Sequence, residues 1–129
     1  MAMNLVDLVA LAALCQLLVF GFLVGSARGR YGVKAPAVTG HEMFERAYRV
    51  QMNTLELMVL FLPALYLAAR YWPPAWVAGL GAVYVVGRLL YRAAYLREPA
   101  SRGLGFLASI LPIFVLLLAG VAGAVRGLL

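Results

Sequence analysis

The sequence predicts an all-α membrane protein, a bundle of four transmembrane helices. Three observations lead there. Of the 129 residues, 65% are hydrophobic and only 12% are charged, against about 25% charged in a typical soluble domain. The charges also fall in a few clusters separated by long uncharged runs, whereas a soluble bundle interleaves polar residues along every helix. Finally, four apolar stretches reach or approach the roughly 20 residues that cross a bilayer: Leu5–Gly25, Leu55–Ala69, Ala75–Leu90 and Leu104–Val125.

The first stretch is read as a retained helix over residues 5–25. Asp7 stands where a secretory signal would carry basic residues, and no small-residue cleavage site follows the apolar run. The second and third stretches are short, and each borrows length from its flank. Glu42 to Thr54 contains no Pro or Gly and extends the second span to residues 42–70, and Tyr91 to Leu96 extends the third to 75–96. The fourth covers 104–126. Breakers mark the joints: Gly29, Gly32 and Pro36 to Gly40, then Pro73-Pro74, then Pro99 and Gly103. Pro63 and Pro112 lie inside spans and predict kinks, not ends. The reading is one domain over residues 1–129, without repeats or low-complexity tracts.

The formal charge of +6 does not call for nucleic acid, because the Arg residues sit beside the ends of apolar spans. Lys and Arg are retained on the cytoplasmic side of a membrane. The first connection and its helical extension hold Arg28, Arg30, Lys34, Arg46 and Arg49, and the third holds Arg92, Arg97 and Arg102. The second loop offers Arg70 alone and the carboxyl end Arg126. Loops one and three are therefore expected in the cytoplasm and both termini on the opposite side. Cys15 is single, mid-span and without a neighbouring His, so it reads as a small buried packing residue.

At about 100° per residue, Glu42, Glu45, Arg46, Arg49, Asn53 and Glu56 fall within about 60° of the Arg49 direction. One helical face carries every charge of this segment. Ion pairs between Glu45 and Arg49 and between Glu42 and Arg46, each at i,i+4, are one reading of the outer residues. Arg49, Asn53 and Glu56 reach deeper, where an ionised carboxylate is costly in lipid and should face the bundle interior with a cationic partner. Gln51 points about 200° away and must face another helix or another protomer. On the third helix Tyr84, Arg88, Tyr91, Arg92 and Tyr95 share a stripe. An interfacial aromatic belt is set by depth, not by angle, whereas Tyr and Arg on one face present hydroxyl and guanidinium donors suited to a carboxylated ligand. The two stripes reach the same end of the bundle and predict a binding site between helices two and three. Position alone reads Arg28 and Arg102 as membrane-anchoring cations.

The run Gly40-His41-Glu42-Met43-Phe44-Glu45-Arg46-Ala47-Tyr48-Arg49-Val50-Gln51-Met52-Asn53-Thr54-Leu55-Glu56 resembles the signature of the MAPEG superfamily, membrane-associated proteins in eicosanoid and glutathione metabolism. That signature is a Gly, three residues, Phe-Glu-Arg, then an Arg or Ala, a Gln or His, an Asn and a Glu. Ser26-Ala27-Arg28 and the spacing of Arg88, Tyr91, Tyr95 and Arg102 extend the resemblance, toward the leukotriene C synthases, over nearly the whole chain. It implies a homotrimer of four-helix subunits embedded among membrane lipids, with glutathione as co-substrate bound at each subunit interface near the cytoplasmic side. By the same resemblance Arg49, Asn53, Glu56, Tyr91 and Tyr95, with Arg88 beside them, hold the peptide from one subunit. Arg28 and Gln51 reach in from the next, and Arg102, with Arg28 as second candidate, supports the thiolate.

The implied activity is glutathione transfer, with peroxidase activity as a companion, onto a lipophilic electrophile or lipid hydroperoxide arriving from the bilayer. Two positions depart from the leukotriene C synthase pattern: Leu57 replaces a Tyr and Gly29 replaces a second arginine. A non-catalytic glutathione- or lipid-binding scaffold is the alternative, and a small four-helix transporter built around Glu56 is a third reading.

Overall fold

A computed structural model describes residues 2–129, and it is all-helical: α1 (Ala2–Tyr31), α2 (Glu42–Ala69), α3 (Pro74–Arg97), a 3₁₀ turn (Pro99–Arg102) and α4 (Gly103–Arg126). All four α-helices are long and apolar enough to cross a membrane. Even the 24-residue α3 and α4 extend about 36 Å at 1.5 Å per residue, beyond the roughly 30 Å of a hydrocarbon core.

Local chemistry sets the ends. Helix α1 runs past Gly25 and Gly29 and stops at Gly32, whose φ of 69° only glycine adopts cheaply. The Val33 amide there donates to the Arg28 carbonyl at 3.1 Å, the six-to-one bond of a Schellman cap, and Val33 buries itself beside Ala27 and Phe44. Gly29 thus lies within the helix and not in the joint expected from its sequence. A single glycine costs a helix about 1 kcal/mol, which a long, packed helix tolerates. His41 begins α2, its Nδ1 accepting from the Met43 amide at 3.1 Å. Glu45 reaches back to accept from the Gly40 amide at 3.3 Å. Carboxylates in this first turn also suit the positive end of the helix dipole. Pro73 closes the second connection, and Pro74 opens α3 at its first position, where no amide is needed. Pro63 and Pro112 sit inside α2 and α4, which continue through them.

Helices α2 and α3 form the centre, with α1 packed on both from one side and α4 on both from the other. The core holds Leu57, Phe61, Leu65, Tyr84, Ile113 and Leu116, with Phe61 and Tyr84 stacked at 3.8 Å between ring centroids. Small residues let α3 and α4 approach closely. A Cβ on Gly87 would lie 2.7 Å from the Ala108 carbonyl carbon, and Gly105 abuts the Tyr91 backbone in the same seam. This contact draws the start of α4 against the last turns of α3. Polar ties cross the apolar interior as well: Gln16 donates to the Val85 carbonyl at 2.9 Å, and the Trp72 indole donates to the Ala119 carbonyl at 2.7 Å.

The outer surface is apolar, with Phe22, Val59, Leu104 and Leu118 among the many exposed large side chains. That is a poor surface for water and a good one for lipid. The protein is an integral, multi-pass membrane bundle. Cys15 corrects the sequence reading: it is exposed, not packed. The buried stripe of α1 passes through Ala10, Ala13 and Gln16, and Cys15 stands about 200° round from Ala13.

Candidate functional site

A cleft of about 400 Å³ opens between α2, α3 and the beginning of α4, lined by Arg49, Asn53, Tyr91, Tyr95, Arg102 and Phe106. Its size falls within the roughly 300–1,000 Å³ of small-molecule sites. A second hollow, also about 400 Å³, adjoins it at Arg49 and Tyr95 and is lined by Glu42, Glu45, Arg46 and Pro99, among others. Five of the residues singled out from sequence thus share one wall-to-wall space.

Arg49 and Glu56 stand two helical turns apart on α2 and pair in parallel, Nη1 to Oε1 at 3.0 Å and Nη2 to Oε2 at 3.4 Å. Both side chains are about half exposed, at 49% and 53%, so Glu56 has the cationic partner expected of it but stands outside the bundle interior and beside the cleft lining, not in it. Arg49 therefore takes Glu56 as its partner, and Glu45 is occupied at Gly40. The other anticipated pair, Glu42 with Arg46, forms. Arg46 also donates to the Leu96 and Arg97 carbonyls at 2.9 and 3.2 Å, holding the end of α3 against α2. That contact fixes the two walls of the cleft relative to each other.

Arg88 lies behind the cleft and not in it. It is fully buried, donates to Asn53 Oδ1 at 2.7 Å and Thr54 Oγ1 at 3.0 Å, and sits 4.2 Å over the Tyr91 ring. Thr54 in turn donates to the Val50 carbonyl at 2.8 Å. Arg88 thereby restrains both the amide of Asn53 and the ring of Tyr91, the two cleft residues nearest the bundle interior. Its Nε and Nη1 have no hydrogen-bond partner. A buried cation with idle donors is costly, and the face of the Tyr91 ring is what the guanidinium meets beyond Asn53 and Thr54. Tyr91 is itself packed against Tyr95 at 5.5 Å and Phe106 at 6.4 Å.

The α3 stripe divides. Tyr91 and Tyr95 face the cleft, Tyr84 and Arg88 enter the core, and Arg92 turns toward α1, 5.5 Å over the Phe20 ring. Arg28 and Gln51 stand outside the cleft. Arg28 donates to the Ala37 carbonyl at 2.6 Å and lies 4.7 Å over Phe44. Gln51 faces a groove of about 540 Å³ with Leu14, Leu17, Leu18, Gly21 and Phe22, on the opposite side of α2. Arg102 lines the cleft and donates to the Pro99 carbonyl at 2.9 Å.

Of the departures, Leu57 packs in the core and lines no part of the cleft. A Cβ at Gly29 would meet nothing within 4 Å. Phe106 and Thr54 were not anticipated. Phe106 had a signal, since it follows Arg102 by four residues and shares its helical face. Thr54 had none, because its partner Arg88 is 34 residues away.

Comparison with known proteins agrees with this architecture. The MAPEG family model matches residues 6–122. An uncharacterized protein of Synechocystis sp. is 46% identical over 106 residues, covering 82% of this chain and 74% of its own length. Microsomal glutathione S-transferase 2 of Homo sapiens is 37% identical over 131 aligned positions, covering 100% of this chain and 89% of its own length. Leukotriene C4 synthase of Bos taurus is 37% identical over 110 residues, covering 85% of this chain and 71% of its own length. With a family match over most of its length and relatives at this level of identity, the chain belongs to the MAPEG family.

Proposed function

We propose that this protein is a membrane-embedded glutathione transferase, acting on lipophilic electrophiles that reach it from the bilayer. The observation that carries the reading is the cleft itself. Two guanidinium groups, Arg49 and Arg102, two phenols, Tyr91 and Tyr95, and the Asn53 amide converge there, with Glu56 held on Arg49. Glutathione offers two carboxylates, one ammonium and one thiol. Arg49 suits a carboxylate, Glu56 suits the ammonium, and the phenols and amide suit the peptide groups. In the free protein Arg49 and Glu56 satisfy each other, so a zwitterionic amino-acid end can replace both partners at once. The family's glutathione S-transferase members support the same ligand.

Arg102 is assigned to the thiol. An unperturbed thiol has a pKa of about 8.5 and is mostly protonated at neutral pH. A guanidinium beside it favours the nucleophilic thiolate. The thiolate sulfur then forms a bond to the electrophilic carbon, and the leaving group departs with its electron pair. With a lipid hydroperoxide the oxygen–oxygen bond is reduced to an alcohol and water while two glutathione molecules become one disulfide. The apolar wall at Phe106 and the exposed face of α4 offer the electrophile its approach.

The reading includes a homotrimer, with loops one and three in the cytoplasm. Arg28 and Gln51 lie away from their own cleft, as residues serving a neighbour's site must. The scaffold alternative loses weight because position 57, where the missing tyrosine would stand, is a core position here. A binding and conjugation pair tests the proposal. Isothermal titration of the solubilised protein with glutathione should show saturable binding, and a chloronitrobenzene assay should show conjugate formation. Binding without turnover on that substrate or on a lipid hydroperoxide would leave a scaffold, and no binding at all would remove the ligand.

A further inference from the structure

On the other side of α2 from the thiol cleft, a cavity of about 230 Å³ lies between the end of α1, the start of α2 and the end of α3. Its polar lining is Ser26, Arg30, Tyr31 and Arg92, and its floor is apolar, with Leu23 and Leu96. The lining contains no carboxylate. Every acidic residue of the chain is engaged elsewhere: Glu42 with Arg46, Glu56 with Arg49, Glu45 at the Gly40 amide, Glu98 at the Ala100 amide and Asp7 at the Tyr66 hydroxyl. Arg30 rests 5.4 Å over the Tyr31 ring and Arg92 over Phe20, so aromatic faces are what the two guanidiniums meet within the subunit. Two cations, exposed Arg30 and partly buried Arg92, thus line a small space with two hydroxyls and no carboxylate.

From this arrangement we infer that the cavity is a binding site for the phosphate of an anionic phospholipid headgroup. Guanidinium pairs match phosphate oxygens bidentately, and Ser26 and Tyr31 supply further donors. The depth selects the source. The cavity sits where the apolar run of α1 gives way to its basic last turn, at the level where headgroups lie, and basic pockets between transmembrane helices at that level take lipid phosphates. Exposed Val19 and Phe22, one to two turns further into the span, continue as an apolar path for an acyl chain. A free phosphate ion would make no use of that path.

Native mass spectrometry of the detergent-purified assembly tests the inference, with phosphatidic acid and phosphatidylcholine added in competition. The wild type should retain phosphatidic acid over phosphatidylcholine by about tenfold or more. Arg30→Ala and Arg92→Ala should each reduce that preference about tenfold, equivalent to about 1.4 kcal/mol, while Arg126→Ala at the opposite end leaves it unchanged. Arg92 is partly buried and its loss risks the fold; Arg30 is exposed, and Arg30→Ala alone then decides. Undiminished preference in Arg30→Ala overturns the site in favour of general surface charge. Displacement of the lipid by millimolar inorganic phosphate overturns the lipid source, and displacement by glutathione assigns the cavity to the thiol site instead.

Discussion

The Arg49–Glu56 pair offers a way to separate stability from binding. Its two side chains are about half exposed, and an ion pair in that setting contributes about 0.2–1 kcal/mol to stability. Substituting Arg49→Ala or Glu56→Gln should therefore leave the thermal midpoint nearly where it was. Binding should respond differently, because each group is assigned a full charge on glutathione, and hydrogen bonds to charged groups contribute about 1.5–3 kcal/mol. That range corresponds to a loss of affinity of roughly tenfold to 150-fold for each variant. Isothermal titration with glutathione, paired with a thermal melt in the same detergent, reads both quantities. The variants should fail differently along the ligand: Arg49→Ala loses discrimination for a free carboxylate and Glu56→Gln for a free ammonium, which glutathione analogues blocked at one end report. Normal affinity in both variants with an unchanged fold would refute the reasoning, because the stripe would then be structural and the ligand elsewhere.

Arg102→Ala should lower turnover by about tenfold to a thousandfold, about 1.4–4 kcal/mol in activation free energy, with little change in affinity. The ultraviolet thiolate titration of bound glutathione should move to higher pH, and an unmoved titration would return Arg102 to the role of membrane anchor. Arg88→Ala should strip Asn53 Oδ1 of its partner and weaken both folding and glutathione affinity by about 1–3 kcal/mol; thermal stability equal to wild type would show that this network is not needed. Gly87→Val should force α3 from α4, where even a Cβ meets the Ala108 backbone at 2.7 Å, costing about 1–3 kcal/mol and loosening the cleft, as a melt and a titration together would record. Mass measurement in detergent should give a trimer, and mixing Arg49→Ala with Gln51→Ala subunits should restore some intact sites; a stable monomer would contradict both.

Much of this protein was determined by its sequence alone. Four apolar runs too long and too uncharged for water require a membrane, and because a bilayer offers no partners for open backbone, runs of this length cross it as helices, which satisfy their backbone within the segment. The angular period of a helix also placed Arg49, Asn53 and Glu56 on one face and Gln51 on the other, since that geometry depends only on residue spacing. Periodicity failed where a neighbour decides the outcome. Arg88, Tyr91 and Arg92 share one stripe by angle, yet α2 and α4 bury the first and draw the second into the cleft, and α1 takes the third. Cys15 could be called packed only by its composition, and the packing of α1 left it outside. Gly29 has the look of a breaker, but a helix ends where a cap satisfies its last carbonyls, and that happens at Gly32. The entry of Arg102 and Phe106 beside Tyr91 was decided in three dimensions alone. It rests on Gly87 and Gly105, whose missing side chains let two helices touch through their backbones. A sequence records that those side chains are small, but which helix comes to fill the space they leave depends on how all four pack together.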